Sequence, residues 1–111
     1  MSYNNSGRIL KAEFQFKTLK IKLYEEDFEH AVDNHPGEVS LKEIGSCIEN
    51  PDTVIESLQG KNACLFYQKK IKDEFFVVVV HTITAGDGEV RTAYKATYIK
   101  KGRVLYNKEN L

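Results

Sequence analysis

The stretch Glu74-Phe75-Phe76-Val77-Val78-Val79-Val80-His81-Thr82-Ile83-Thr84 contains the one long apolar run of this 111-residue chain. Its aromatic and β-branched residues follow one another without a polar break, whereas a strand with one wet face needs a polar residue at every second position. The run therefore reads as a central strand covered on both sides. Ala85-Gly86-Asp87-Gly88 follows, and then Glu89 to Tyr98 alternates as a strand with one wetter face. Glycines on both sides of Asp87 suit a tight hairpin turn, because they accept positive φ angles. A two- or four-residue loop centred there sets His81 opposite Thr92, with Tyr94 two places along on the same face; a three-residue loop shifts the register by one and separates them.

Outward from this hairpin the chain reads as one domain over residues 8–111 after a flexible tail over residues 1–7. Its length supports a single core and leaves no room for a second. Charged residues make up 29% and hydrophobic residues 41%, an ordinary globular balance. Sixteen basic and sixteen acidic side chains cancel, so an anionic partner has to be held by a local cluster. The polar N-terminus lacks the apolar segment of a signal peptide, and no run is long enough to span a bilayer. The expectation is a cytoplasmic protein without a membrane partner. Cys47 and Cys64 form no C-x-x-C pair and sit in apolar segments, which fits two buried reduced thiols.

Before the central run, Arg8 to Phe16 and Lys20 to Leu23 show strand spacing, read as a short strand or hairpin. From Tyr24 to Asn34 the period changes to that of a helix, with Tyr24, Phe28, Ala31 and Val32 on one side and acids in the first turn. His35-Pro36-Gly37 stops it. Ser40-Leu41-Lys42-Glu43 is a capping-box sequence opening a second helix, which ends at Asn50-Pro51-Asp52. Thr53 to Leu58 and Asn62 to Lys70 read as strands joined by Gln59-Gly60-Lys61, and Val104-Leu105-Tyr106 as a last short one. The expected architecture is α+β, two N-terminal helices packed on a four- to five-stranded antiparallel sheet.

Three histidines are the first candidates for chemistry. His30 and His35 bracket the end of the first helix five residues apart, about 140° around a helix, which is poor spacing for a shared metal. No metal and no cofactor are expected. His35 lies nearer the apolar side, where Pro36 can hold it at the mouth of a cleft.

The order His30-Ala31-Val32-Asp33-Asn34-His35-Pro36, Ile48-Glu49-Asn50-Pro51-Asp52-Thr53-Val54, Val77 to His81, and Arg91-Thr92-Ala93-Tyr94 with Lys101-Gly102 resembles that of the phage members of the barnase, EndoU, colicin and RelE-like nuclease superfamily. The likeness covers residues 20–106 and rests on order and spacing, since each motif is short. It implies a small α+β domain that cuts RNA without metal, with functional positions on His30 and His35 and on Thr92 and Tyr94. Relatives often carry a lysine where this chain has His81; a protonated imidazole takes over that charge in part.

RNA carries its own nucleophile, so such an enzyme needs a base for the 2′-hydroxyl proton, an acid for the leaving oxygen, and donors on the phosphate. Histidine serves in either proton-transfer role. The candidate catalytic residues are His30, His35, His81, Thr92 and Tyr94. The candidate substrate-binding residues are Lys69, Lys70, Arg91 and Lys95, although strand alternation turns Arg91 and Lys95 away from Thr92 and Tyr94 unless a bulge intervenes. The functional expectation is a metal-independent endoribonuclease, toxin-like or phage-borne, acting on a structured RNA such as a tRNA; the resemblance implies, for a toxin role, an acidic immunity or antitoxin protein as partner. The competing expectation is a non-catalytic binding module on the same fold.

Overall fold

A computed structural model describes residues 8–59 and 62–110; the turn expected at Gly60-Lys61 and the tail over residues 1–7 lie outside the described residues. The chain runs β1 (Leu10–Phe16), β2 (Leu19–Tyr24), α1 (Glu25–Asn34), α2 (Leu41–Glu49), β3 (Thr53–Gln59), β4 (Asn62–Ile71), β5 (Glu74–Thr84), β6 (Asp87–Ala96) and β7 (Arg103–Asn107). All strands join one seven-stranded sheet in the order β1-β2-β6-β5-β4-β3-β7. The expected four- to five-stranded antiparallel sheet is thus corrected. The β3–β6 meander is its centre, but the first hairpin adds two strands at one edge and β7 adds another beyond β3. The sheet is also mixed, because β2 runs parallel to β6 where Lys20, Ile21 and Lys22 meet Asp87, Gly88 and Glu89. The seam is anchored by the Lys20 amide donating to the Gly86 carbonyl at 2.9 Å.

Strand alternation divides the core in two. On one side Phe76, Val78 and Val80 of β5 pack with Leu65 and Tyr67 of β4, Val54 of β3, Ile21 and Leu23 of β2, and Ile44, Cys47 and Ile48 of α2. The spacing of those three helical residues places them on one face, and the capping box holds the start of α2, with the Ser40 oxygen accepting from the Glu43 amide at 3.2 Å. The sheet curls around this side until its two edges meet: Phe16 of β1 lies edge-on to Tyr67 at 5.3 Å and to Tyr106 of β7 at 5.2 Å between ring centroids.

On the other side Val77 packs with Ile55, Cys64 and Phe66, and no helix covers them. The cover is the crossover from β6 to β7. Gln68, 1% exposed, accepts from the Lys100 amide at 2.6 Å and donates to the Lys100 carbonyl at 3.2 Å, gripping the crossing backbone from both ends of one side-chain amide. The Lys100 ammonium sits 4.7 Å above the Phe66 ring. At Gly102 an added Cβ would stand 2.7 Å from the Glu56 carbonyl oxygen, so a side chain there would push the crossover off β3.

The thiols lie on opposite sides of the sheet, Cys47 in the helix-side core and Cys64 in the other, and both are free and buried. Burial pushes the Cys47 thiol up to about 12, and its Sγ donates to the Tyr67 carbonyl at 3.2 Å. Asp52 ties the start of β3 to its neighbours: Oδ2 accepts from the Lys70 amide at 2.7 Å and Oδ1 pairs with Lys108 at 2.7 Å. Partial burial pulls this carboxyl up, but those bonds and the ammonium groups of Lys108 and Lys69 outweigh it and hold it below its ordinary range.

Replacing Gln68 by alanine orphans two polar groups of the crossover and is expected to cost about 2–3 kcal/mol in urea unfolding, with amide exchange accelerated across residues 97–102. For Asp52, the depressed folded pKa means that its stabilisation is present above about pH 4, the ordinary carboxylate value, and is lost as pH falls through the lowered value. Urea midpoints of the wild type and Asp52→Asn should therefore differ near neutral pH and converge in acid.

Candidate functional site

The His-Pro-Gly-Glu sequence that ends α1 also builds the site. Pro36 in the second position, Gly37 at φ +77° in the third, and the Glu38 amide donating to the His35 carbonyl at 3.1 Å form a tight turn of type II character. The reversal swings the Glu38 carboxylate back beside the imidazole, with Oε1 3.9 Å from His35 Nδ1. The same Oε1 accepts from the Lys95 amide at 3.1 Å. That amide belongs to the part of β6 beyond its short pairing with β2, where α1 and this turn run along the strand instead. One carboxylate thus satisfies an exposed strand edge and lies beside one ring nitrogen of His35.

The His35 ring packs against Tyr94 of β6, with 5.6 Å between centroids and a 33° tilt. Burial, and behind it the neighbouring Tyr98 phenol, pushes the Tyr94 hydroxyl up, so it stays protonated as a donor through the neutral range. Thr92 is two residues away on the same strand and half-buried. Val77 pairs with Tyr94 and Val79 with Thr92, which puts both hydroxyls on the face that no helix covers. The helix-end imidazole and the hydroxyl-bearing face of the β5–β6 hairpin therefore meet, joined by the turn rather than by a deep pocket.

The remaining candidates are distributed unevenly. The hairpin turns at Ala85-Gly86 instead of around Asp87, and the register shifts twice, at Ile83 in β5 and at Arg91 in β6, so His81 stands opposite Glu89 and not Thr92. That correction leaves His81 on the same face as Thr92, diagonal to it across the β5–β6 pair. The extra bulge residue, Arg91, is exposed. Lys95 pairs with Phe76 and lines a small cavity with Glu43, on the helix side of the sheet, so its side chain does not join Tyr94. His30 is exposed on α1, and no hydrogen bond or ring contact ties it to Tyr94, Thr92 or His81 among the described residues. Lys69 and Lys70 line a separate cleft of about 610 Å³. Glu38 was missed by sequence reading, although the Pro-Gly turn separating it from His35 is the signal that could have found it.

Among the described residues no group of three or more His, Cys, Asp or Glu is placed to hold a metal ion, and no helix is long and apolar enough to cross a membrane. Comparison of the chain with protein-family models, with curated proteins and with solved structures finds no match.

Replacing Glu38 by alanine removes the acceptor of the Lys95 amide. The expected outcome is a loss of about 1 kcal/mol and faster hydrogen exchange at Lys95, with the β6 amides that bond to β5 keeping their protection. The cross-peaks between the His35 and Tyr94 rings in NMR spectra should weaken in the same variant.

Proposed function

We propose that this protein is a metal-independent endoribonuclease related to the barnase, EndoU, colicin and RelE-like enzymes. The observation that carries the reading is the packing of His35 on Tyr94, with Glu38 at Nδ1 of the imidazole. In this reading Nε2 of His35 takes the proton of an RNA 2′-hydroxyl and the freed oxygen attacks the adjacent phosphorus. The bond to the 5′-oxygen breaks, and that oxygen is protonated as it leaves. The products are a 2′,3′-cyclic phosphate and a 5′-hydroxyl end. The Tyr94 and Thr92 hydroxyls donate to the phosphate oxygens as charge builds on them. His81, on the same face, protonates the leaving oxygen or stands as a cation beside the phosphate. Single-stranded or looped RNA, such as the exposed loops of a tRNA, suits an open sheet face better than a duplex does.

A second reading, a non-catalytic binding module, is favoured by one observation. The most prominent clefts, the one lined by Lys69 and Lys70 among them, are formed without His35, His81, Thr92 or Tyr94.

Incubation of the purified chain with total RNA in EDTA, followed by end-group analysis, separates the two. The nuclease reading expects cyclic-phosphate ends that disappear with His35→Ala, and a loss of about 10²-fold or more in rate; Tyr94→Phe should lower the rate without abolishing RNA binding. Intact RNA after incubation with the folded wild type, or cleavage undiminished in His35→Ala, would remove the proposal.

A further inference from the structure

A cleft of about 610 Å³ lies beside the start of the crossover, where Phe75 pairs with Ala96. It is lined by Lys69, Lys70, Lys72 and Lys108, with Asp52 and Glu109 as its acids. Four ammonium groups against two carboxylates make a local positive excess in a chain whose formal charges cancel. Asp52 is already engaged, one oxygen by Lys108 and the other by the Lys70 amide. The Lys69 ammonium is likewise committed, donating to the Asn50 carbonyl at 2.8 Å. Lys70 and Lys72 are different: both are exposed, and neither forms an ion pair among the described residues. Lys72 is held at φ +58° in the two-residue β4–β5 turn, a left-handed conformation where glycine or asparagine is the ordinary occupant.

The same cleft has an apolar wall. Phe75 is half-buried at the start of β5, and Ile99 of the crossover is 39% exposed. Cations beside a partly open aromatic ring are the two parts that hold a nucleotide chain by phosphate and base. Phe75 pairs with Ala96, two residues along β6 from Tyr94, so this wall of the cleft lies on the same face of the sheet as the candidate reacting groups. Two strand residues span about 7 Å.

We infer that this cleft is a binding site for single-stranded nucleic acid, in which Lys70 and Lys72 take a phosphate and Phe75, with Ile99, takes a base. The choice of a nucleotide chain as ligand rests on the reading of the preceding subsection; the cationic, part-aromatic character of the cleft does not.

The test uses the full chain and a fluorescently labelled 2′-O-methyl oligonucleotide, which lacks the nucleophile and so reports binding alone. The double variant Lys70→Gln/Lys72→Gln is expected to bind at least about tenfold more weakly, and its dependence on salt to flatten by about 1.4 in log–log slope. Phe75→Leu should weaken binding about tenfold at constant salt, with thermal unfolding used to verify that it folds. A matched control, Lys20→Gln/Lys42→Gln, removes two exposed charges elsewhere and should leave affinity within about twofold. Equal affinity of the wild type and the Lys70/Lys72 variant, or an equal loss in the control, would overturn the assignment. If the wild type cuts no RNA while the cleft variants still lose affinity, the cleavage reading fails and the binding site stands; if cleavage holds but the cleft variants bind normally, this inference alone fails.

Discussion

A strand that is apolar on both sides demands two covers, and this chain builds only one of them from helix. Val78 and Val80 of β5 are sealed by α2 and by the sheet's own curl. Val77 and its neighbours Ile55, Cys64 and Phe66 would face water if the β6–β7 crossover did not lie over them. The grip of Gln68 on both polar groups of Lys100 is what holds that cover down. A buried side-chain amide that meets a backbone N–H and C=O together satisfies all three groups at once, whereas a loop crossing an apolar surface without such a partner would leave them orphaned. The crossover also delivers β7 to the edge of β3, and with it Tyr106, which meets Phe16 from the far edge of the sheet.

The candidate site follows from a second edge. Because β2 pairs with β6 over three residues only, the rest of that strand needs another partner along its outer side. The turn after α1 supplies one through Glu38, and the same reversal brings His35 onto Tyr94. One carboxylate therefore caps the strand edge and, by the same reversal of the chain, lies beside the imidazole. The bulge at Arg91 matters equally. It adds one residue to β6, so Thr92 and Tyr94 fall on the crossover side while Val90 and Ala93 fill the helix-side core.

Charge is arranged locally instead of globally. The chain is neutral as a whole, yet Arg8 is held by Asp27 and Glu89 above the Tyr24 ring, while among the described residues Lys70 and Lys72 have no such partners around the cleft beside Phe75. A zero net charge therefore describes two different environments, one in which opposite charges pair and one with cations to spare, and only the second suits an anion.

The bounds of β5, the two helices and their stops, the capping box at Ser40 and the burial of both thiols were all legible in the residues, because each depends on neighbours a few positions away: apolar periodicity, a proline, a serine three residues before a glutamate. The suggestion that His35 and the Thr92–Tyr94 strand belong together was also legible, though only as an order of motifs. The sheet order, the parallel seam between Ile21 and Gly88, the edge-to-edge meeting of Phe16 and Tyr106, the register shifts at Ile83 and Arg91 that set His81 against Glu89, and the Gln68–Lys100 clamp were decided by tertiary structure. Backbone donors and acceptors are alike on every strand, so no local pattern names the edge on which a hairpin will pair. That choice falls to whichever arrangement buries both faces of β5 and leaves no edge or crossing backbone without a partner.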